Sequence, residues 1–368
     1  MDALNAILEP IQSITWQQGV MILIGGLLVF LAIKFEMEPT LLLPMGFGAI
    51  LVNLPLSGAI GEHGVLTILN NAGIANELFP LLLFIGIGAM IDFTPLLTNP
   101  KLMFFGAAAQ FGIFFTLCLA SLFFPLNDAA SIGIIGAADG PTAIFVSNEL
   151  KSNLRGPIMV AAYSYMALVP VIQPPVIKLV TTKKERQIRM PYTGKKVSKL
   201  TLILFPIIIT IVAGLVAPDS ISLVGFLMFG NLIRVCGVLD SLSETAQKVL
   251  ANLVTILLGI AVSTSMKAED FLAPQTLLIL GLGLFAFVFD TIGGVMIAKL
   301  FNLFSKTKIN PMIGAAGISA FPMSARIINK MGLEEDNQNF LLMHSIGVNV
   351  SGQIASVIAG GLILTIFK

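Results

Sequence analysis

The chain has 368 residues, of which 21 are Lys or Arg and 20 are Asp or Glu, so that only 11% are charged. A soluble domain carries about 25% charged residues. Hydrophobic residues make up 56% of the chain, and the mean hydropathy is +0.94. These values exclude an ordinary water-soluble enzyme and indicate a polytopic membrane protein.

Long apolar stretches predict the membrane helices, at ~20 apolar residues per crossing. We place them near 19–33, 39–56, 78–91, 102–125, 156–180, 200–217, 221–239, 249–266, 273–300 and 340–366. No basic residue precedes Lys34, so we expect no cleavable signal peptide.

Two further apolar segments, 129–149 and 309–330, contain glycine and proline at a density that breaks a helix inside the bilayer. Such a break is tolerated only where the freed backbone is buried in protein or lines a wet cavity. The segments are related by an internal repeat, since Ile135-Gly-Ala-Ala138 returns 178 residues later as Ile313-Gly-Ala-Ala316. Matching broken helices in two halves are the best sequence indication of a transporter's central site.

The sequence therefore predicts an all-α polytopic membrane protein of about ten to twelve transmembrane segments in two repeats, expected to be inverted, each with a broken or re-entrant helix. The predicted division is an N-terminal segment with the first helix (1–38), a first repeat (39–180), a basic cytoplasmic loop (181–199) and a second repeat (200–368).

The basic residues also indicate orientation. Eight Lys and Arg residues lie between Lys178 and Lys199, which is typical of a cytoplasmic topology signal and solvated linker, with partner docking as the alternative. With the N-terminus outside and both broken segments re-entrant, sixteen Lys and Arg are cytoplasmic and four are extracellular. If both segments cross fully, the division is 13 to 7, so the positive-inside rule favours re-entrant segments.

Asp139 is the residue most indicative of function. A carboxylate in the membrane costs roughly 3 kcal/mol, so it requires a cation, a proton or a partner. It lies in Gly136-Ala-Ala-Asp-Gly-Pro-Thr142, where the break frees backbone carbonyls and Thr142 adds a hydroxyl. One negative charge among neutral oxygens suits a hard monovalent cation. The alternative is a carboxylate that caps the following half-helix.

Several other polar residues could contribute to such a site. Asn310 and Ser319 can complete an oxygen cage or can cap helices, and these alternatives stay open. The guanidinium of Arg326 fits a carboxylate, or reaches the cytoplasmic surface. The phenol of Tyr165 can bind a carboxylate or relay a proton, although a buried tyrosine more often packs. The last helix adds Asn349, Ser351 and Gln353 as possible oxygen ligands, and the second broken segment adds Ser324.

Four remaining residues receive structural interpretations. Asp290 and Arg234 are expected to form an ion pair, with a second ion site as the alternative for these charges. Cys118 and Cys236 are expected to be small core residues. With two histidines in the chain, a zinc site is not expected.

Two motifs resemble those of a known family. Gly136-Ala-Ala-Asp-Gly-Pro-Thr-Ala-Ile-Phe145 and the segment from Asn310 to Arg326 are similar to the beta subunit of the biotin-dependent, sodium-pumping decarboxylases. Gly230-Asn-Leu232 and Gly347-Val-Asn-Val-Ser-Gly-Gln353 extend the resemblance over essentially the whole chain. The family includes the oxaloacetate, methylmalonyl-CoA, glutaconyl-CoA and malonate enzymes.

The resemblance implies a membrane subunit that decarboxylates carboxybiotin arriving from the cytoplasm, consumes a proton and exports sodium. The biotin is carried on a partner and is not attached to this chain. Implied partners are a biotin carrier protein, a carboxyltransferase alpha subunit, a small membrane gamma or delta subunit and several beta copies, with no nucleic acid. The implied location is the bacterial inner (cytoplasmic) membrane.

The resemblance also implies residue roles. It places Na⁺ ligands at Asp139, Asn310, Ser319 and Asn349, catalytic roles at Asp139, Tyr165, Ser319 and Arg326, and the carboxybiotin carboxylate at Arg326. Gly314 falls on a further position of the second motif. The compact chain slightly favours an acyl-CoA substrate, methylmalonyl-CoA or glutaconyl-CoA, over oxaloacetate.

The competing hypothesis is a secondary transporter, either a sodium/proton antiporter or a sodium–carboxylate symporter, that uses two broken helices without decarboxylation. Only the motifs separate the two hypotheses, since composition and repeats suit both. A purely structural membrane scaffold gives no reason to bury Asp139.

Overall fold

The computed structural model describes residues 8–192, 194 and 196–368, which form helices and connecting loops without a β-strand. Residues 1–7 of the predicted N-terminal segment, and Thr193 and Lys195 of the basic loop, lie outside the described residues.

The α-helices, in chain order, are α1 Trp16–Phe35, α2 Pro39–Asn53, α3 Val65–Gly73, α4 Leu78–Met90, α5 Thr94–Thr98, α6 Leu102–Ala109, α7 Phe111–Ala120, α8 Leu126–Gly133, α9 Gly140–Glu149, α10 Arg155–Val180, α11 Lys183–Arg186, α12 Lys199–Val216, α13 Ile221–Cys236, α14 Asp240–Glu244, α15 Ala251–Val262, α16 Ala268–Phe271, α17 Pro274–Phe304, α18 Met323–Glu335 and α19 Leu342–Phe367. Short 3₁₀ helices cover Ile134–Ala137, Pro218–Ser220, Ser263–Ser265 and Pro311–Gly317, and a π-helical turn at Thr245–Leu250 joins α14 to α15.

Eight helical stretches of the described chain are long and apolar enough to cross a membrane, or nine if the bent pair α3 and α4 forms one span. All ten predicted spans fall on helices, but α2 has only 15 residues and α4 belongs to the pair bent by 62°. The all-helical membrane fold is therefore confirmed, whereas the count of ten to twelve spans stays a prediction. Large apolar side chains such as Leu23 on α1 and Leu215 on α12 are exposed, as lipid-facing helices require.

The first broken segment is a hairpin, residues 126–149, which we call the first hairpin. Helix α8 runs into the 3₁₀ turn Ile134–Ala137, and Ala138 then takes a left-handed backbone conformation with φ of 51°. Helix α9 starts at Gly140 with Pro141 in its first turn, where its missing N–H leaves no helical hydrogen bond unmade.

The two ends of the first hairpin meet. The hydroxyl of Ser152, just after α9, donates to Asp128 Oδ1 near the start of α8 at 2.6 Å. The backbone N–H of Asn153 donates to the same oxygen at 3.2 Å. The segment thus enters and leaves on one side, which is the geometry of a re-entrant hairpin.

The second broken segment, residues 310–335, is the second hairpin. The 3₁₀ helix Pro311–Gly317 leads through an extended stretch at Ile318 into α18. At its start, Asn310 Nδ2 donates to the carbonyl of Arg186 at 2.8 Å. At its end, Arg186 Nε contacts Glu335 Oε1 at 2.6 Å. Both ends therefore meet at Arg186, so this hairpin is also re-entrant.

The two hairpins enter from opposite ends of α19. At the first turn of α19, His344 Nε2 lies 3.2 Å from the carbonyl of Met190, in the loop that holds the base of the second hairpin. Directly after its last turn, Lys368 Nζ lies 2.5 Å from Glu149 at the base of the first hairpin. A helix of 26 residues spans ~39 Å, the thickness of a bilayer with its interfaces.

The tips of the hairpins meet at mid-depth, where the N–H of Ser319 donates to the carbonyl of Ala137 at 2.9 Å. Opposed hairpins with touching tips are what an inverted repeat predicts. The repeat boundaries at 39–180 and 200–368 stay predictions.

The predicted solvated linker, 181–199, is ordered in its first part. Thr182 caps the short helix α11, and Arg189 Nε contacts Asp336 Oδ2 at 2.5 Å. Together with the Arg186–Glu335 pair, this contact joins the loop to the end of α18. Arg186 and Arg189 thus contact the end of the second hairpin, and Arg189 stays exposed to solvent. The basic cytoplasmic linker at 181–199 stays a prediction.

Candidate functional site

Asp139 lies at the tip of the first hairpin and is 3% exposed. Its Oδ1 accepts from the backbone N–H of Thr142 at 3.3 Å, so the carboxylate caps α9. Its Oδ2 accepts from the hydroxyls of Thr142 and Ser356 and from Gln353 Nε2, at 2.8, 2.9 and 2.9 Å. Capping and an ion-binding role are thus compatible, since one carboxylate serves the helix and gathers three polar side chains.

Helix α19 supplies the opposite wall of the site. Asn349, Gln353 and Ser356 stand at positions i, i+4 and i+7, which share one face of a helix. Asn349 Nδ2 donates to the carbonyls of Ala316 and Ile318 at 3.0 and 2.7 Å. Its Oδ1 is buried and has no hydrogen-bond partner within the described chain. Asn349 therefore holds the broken backbone of the second hairpin and keeps one free oxygen.

A cavity of about 240 Å³ reaches Asp139. At its inner end it is lined by Asp139, Ser319 and Gln353. At its other end it is lined by Glu38 and Thr40, beside the start of α2, and by Met90 at the end of α4. In the orientation that the basic residues favour, these helix ends are cytoplasmic, so the cavity connects the tips of the hairpins with the cytoplasmic side.

Ser319 and Arg326 lie along this cavity and its margin. The hydroxyl of Ser319 donates to the carbonyl of Gly352 at 3.1 Å, so Ser319 bridges the second hairpin and α19. Arg326 is exposed, one helical turn after Met323, which lines the cavity. Its guanidinium forms no ion pair with any described residue. A cation on the second hairpin is thus free to bind an anion.

Two predicted residues lie away from the cavity in this conformation. Tyr165 donates its hydroxyl to the carbonyl of Leu280 on α17. Asn310 donates to the carbonyls of Arg186 and Ile188 and accepts from the N–H of Met312 through Oδ1. Neither lines the cavity at Asp139, and their roles stay predictions.

Tyr163, which the sequence did not single out, packs beside the site. An added Cβ on Gly140 would lie 2.4 Å from Tyr163 Cζ, so the ring covers the backbone next to Asp139. Its hydroxyl is buried and has no partner among the described residues. Ser356 was also missed, although its i+3 spacing from Gln353 on a buried helix face was a usable signal.

Two structural interpretations were wrong. Arg234 Nη1 donates to the carbonyl of Met90 and forms no pair with Asp290, whose Oδ1 accepts from the N–H of Gly112. Cys118 is exposed and Cys236 is partly exposed, so neither is a core residue. Both errors have one cause, because the direction in which a helix turns a side chain depends on its neighbours.

The fold and the site define a multi-pass membrane protein in which two re-entrant hairpins enter from opposite sides and meet at a buried carboxylate. Residues 17–367 match the family described as "Na+-transporting oxaloacetate decarboxylase beta subunit". The chain belongs to this family. It is thus a component of a multi-subunit, sodium-transporting decarboxylase complex.

Curated relatives from several bacteria are similar over nearly the whole chain. The oxaloacetate decarboxylase beta chain of Klebsiella pneumoniae is 45% identical, covering 99% of this chain and 99% of its own length. The methylmalonyl-CoA decarboxylase subunit beta of Propionigenium modestum is 48% identical, covering 95% and 94%. The subunit of the same name from Veillonella parvula is 48% identical, covering 97% and 95%.

Proposed function

We propose that this chain decarboxylates carboxybiotin and couples the reaction to Na⁺ export. The observation that carries the proposal is Asp139, buried where the two hairpins meet and reached by a cavity that Glu38 and Met90 also line. A buried membrane carboxylate between opposed broken helices is suited to bind a cation and release it on the other side.

In this proposal Na⁺ is the cargo and binds at the tips of the hairpins. Asp139 supplies the negative charge, and neutral oxygens come from Ser319 and from the free Oδ1 of Asn349. Na⁺ is a hard cation and prefers such oxygen ligands. Asn310 lies at the base of the second hairpin, so its proposed contact with Na⁺ at the tips requires the hairpin to move.

Arg326 is proposed to hold the carboxylate of carboxybiotin near the cytoplasmic end of the cavity, because a guanidinium pairs with a carboxylate through two hydrogen bonds. Decarboxylation breaks the bond between the biotin nitrogen and the carboxyl carbon, releases CO₂ and leaves the nitrogen to take up a proton. Tyr165 and Ser319 are proposed to relay that proton. Asp139 is proposed to be the acid at which proton uptake and Na⁺ binding are linked.

We propose an acyl-CoA as the source of the carboxyl group, and the length of the chain supports this proposal. Alignment with the Klebsiella pneumoniae chain extends over 428 positions, which exceeds the 368 residues of this chain. Alignments with the two methylmalonyl-CoA decarboxylase subunits extend over 373 and 357 positions. The nearer agreement in length with the methylmalonyl-CoA decarboxylase subunits supports the proposed acyl-CoA substrate, methylmalonyl-CoA or glutaconyl-CoA, over oxaloacetate.

The biotin is proposed to arrive on a carrier protein that a carboxyltransferase alpha subunit loads. A small gamma or delta subunit and further beta copies complete the assembly. The proposed location is the bacterial cytoplasmic membrane, where carboxybiotin reaches the cytoplasmic side and Na⁺ leaves on the other.

The test uses the chain in liposomes supplied with carboxylated biotin or the loaded carrier, and follows bicarbonate release and ²²Na⁺ movement. Wild type is expected to decarboxylate only with Na⁺ and to move Na⁺ in step. Asp139→Asn is expected to lose both activities, since it removes the charge. Asp219→Asn, a matched control at the opposite end of α19 from the basic loop, is expected to keep both.

Coupled activity in Asp139→Asn would contradict the assignment of that residue. Na⁺ movement that follows a pH or carboxylate gradient and leaves carboxybiotin intact would instead identify a secondary transporter.

A further inference from the structure

Asp290 is a second fully buried carboxyl, and no step described above uses it. It lies near the middle of α17, ~20 Å from either end of that 31-residue helix, and its side chain is 0% exposed. It is therefore as deep in the membrane as the tips of the hairpins.

The carboxyl group of Asp290 packs against two glycines. An added Cβ on Gly112 would lie 2.2 Å from Asp290 Oδ1, and one on Gly136 would lie 3.0 Å from Oδ2. Gly112 belongs to α7, and Gly136 lies in the turn of the first hairpin, three residues before Asp139. The absence of side chains at both positions leaves room for the carboxyl group behind that turn.

The two oxygens of Asp290 differ in their partners. Oδ1 accepts from the N–H of Gly112, whereas Oδ2 is buried without a hydrogen-bond partner in the described part of the chain. No Lys, Arg or His of that part forms an ion pair with either oxygen, and Arg234 is engaged elsewhere.

The elements packed against α17 carry few ionisable groups. Those on these elements, or on α17 itself besides Asp290, are Cys118, Asp128, Arg155, Tyr163, Tyr165, Lys178, Glu269, Asp270 and Lys299. Among them, Tyr165 donates to Leu280, Lys299 pairs with Glu185, and Asp128 binds Ser152.

An uncompensated carboxylate at this depth is unfavourable by several kcal/mol, so a cation must neutralise Asp290. A purely structural acceptor for the Gly112 N–H could be an amide, which carries no such penalty. The oxygen without a partner, beside the turn of the first hairpin, is the part of the carboxyl group that a cation can use.

A second buried oxygen without a partner lies on the same helix as Gly112. Thr116 is one turn further along the buried face of α7 and is 0% exposed. Its hydroxyl also has no partner among the described residues. A serine or threonine hydroxyl in a helix ordinarily donates to a carbonyl one turn back, so its free state is unusual.

We propose that Asp290 is a second monovalent-cation site, which holds a proton in one state and Na⁺ in the other. On exchange, the O–H bond of Asp290 breaks, its proton leaves to water, and the carboxylate binds Na⁺ with the hydroxyl of Thr116 as a neutral ligand. The inference rests on the proposed Na⁺ transport and adds a second ion to it. Because Oδ2 faces Gly136, the ion at Asp290 acts on the turn that carries Asp139.

The test is equilibrium binding of ²²Na⁺ to the purified full chain in detergent, with no biotin present. Wild type is expected to bind two Na⁺ per chain. Asp290→Asn and Asp139→Asn are each expected to bind one, and the double variant none. Asn at position 290 keeps an acceptor for Gly112 and removes the charge, so it separates a structural role from an ionic one.

Na⁺ added to lightly buffered wild type is expected to release one more proton per chain than Na⁺ added to Asp290→Asn. If Asp290→Asn does not fold, Thr116→Val replaces it and is expected to raise the half-saturating Na⁺ concentration of one site only.

A wild type that binds one Na⁺, lost in Asp139→Asn and kept in Asp290→Asn, would overturn the inference and leave the proposed function intact. An unchanged half-saturation in Thr116→Val would overturn the role of that ligand. A wild type that binds no Na⁺, or an Asp139→Asn variant that binds as wild type does, would instead count against the proposed function.

Discussion

The hydrogen bonds of Asp139 divide its carboxylate between two tasks. Oδ1 serves the start of α9, while Oδ2 collects donors from the same helix and from α19. Any ion that binds here must compete with those hydroxyl and amide donors. The orientation of Gln353 and Ser356 on α19 therefore depends on whether an ion is bound at Asp139.

Two tyrosines of α10 allow a matched comparison. Tyr165→Phe is expected to lower carboxybiotin decarboxylation by about 10²-fold or more, as the loss of a proton-transferring group does. It also removes the hydrogen bond to the carbonyl of Leu280, which contributes about 1 kcal/mol of stability. The measurement is bicarbonate release with thermal unfolding of the same sample.

Tyr163→Phe is the control for that comparison, because it removes a buried hydroxyl that has no partner among the described residues. It is expected to retain stability and most of the activity. If the two variants exchanged behaviour, the proton relay would belong to Tyr163, which packs against Gly140 beside Asp139.

At the scale of elements, glycines set how closely each hairpin approaches its supporting helix. An added Cβ on Gly314 in the second hairpin would lie 2.1 Å from the carbonyl oxygen of Gly294 on α17. Backbone atoms cannot yield to such a contact as a flexible side chain does. The position of the hairpin therefore depends on a glycine at 314.

Gly314→Ala is expected to push the second hairpin away from α17, to lower stability by about 1–3 kcal/mol and to weaken Na⁺ binding. Gly281→Ala on the same helix is the control, because no atom lies within 4 Å of its added Cβ. Thermal unfolding and ²²Na⁺ binding check both variants. If Gly314→Ala and Gly281→Ala lowered stability and Na⁺ binding equally, the close approach of Gly314 to α17 would not be what positions the hairpin.

The basic loop and the end of α18 are joined by charges that titrate. Hydrogen bonds from Arg189 lower the pKa of Asp336 below its usual range. A depressed pKa in the folded state adds stability above the unfolded pKa of about 4, and that stability disappears as the pH falls through the folded pKa.

Asp336→Asn is therefore expected to lower the melting temperature slightly at pH 7 and at pH 5, and to lower it by less at pH 3. Thermal unfolding at the three pH values checks this. A difference of the same size at pH 3 would show that the effect comes from something other than the ionised pair.

At the scale of the whole molecule, the bases of the two hairpins lie at opposite ends of α19 and their tips touch between them. Each hairpin thus reaches mid-depth from one side only. The contact between Ser319 and Ala137 lies where the two hairpins meet. A modest displacement of one hairpin would change which side reaches Asp139, as alternating access requires.

Single cysteines placed in a background with Cys118 and Cys236 replaced by serine test this topology. Asn127→Cys and Lys151→Cys, at the two ends of the first hairpin, are expected to react with an impermeant maleimide from the outside. Lys308→Cys and Lys330→Cys, near the base and on α18 of the second hairpin, are expected to react from the cytoplasmic side. If a segment crossed the membrane fully, its two cysteines would react from opposite sides.

The sequence by itself determined the class of protein, the positions of the ten apolar helices and the two breaks. It did so because apolar length and the local density of glycine and proline are properties of a short stretch of chain. It also selected Asp139, since a membrane carboxylate next to such a break is exceptional whatever surrounds it.

Tertiary structure alone decided which polar groups share the site. Gln353 and Ser356 turn toward Asp139, whereas Asn310 and Tyr165 turn toward backbone carbonyls, because helix rotation and hairpin register arise from packing. Asp290 shows the same limit. The sequence predicted an ion pair between Asp290 and Arg234. The structure instead places Asp290 between Gly112 and Gly136, because α17, α7 and the first hairpin meet only in the folded chain.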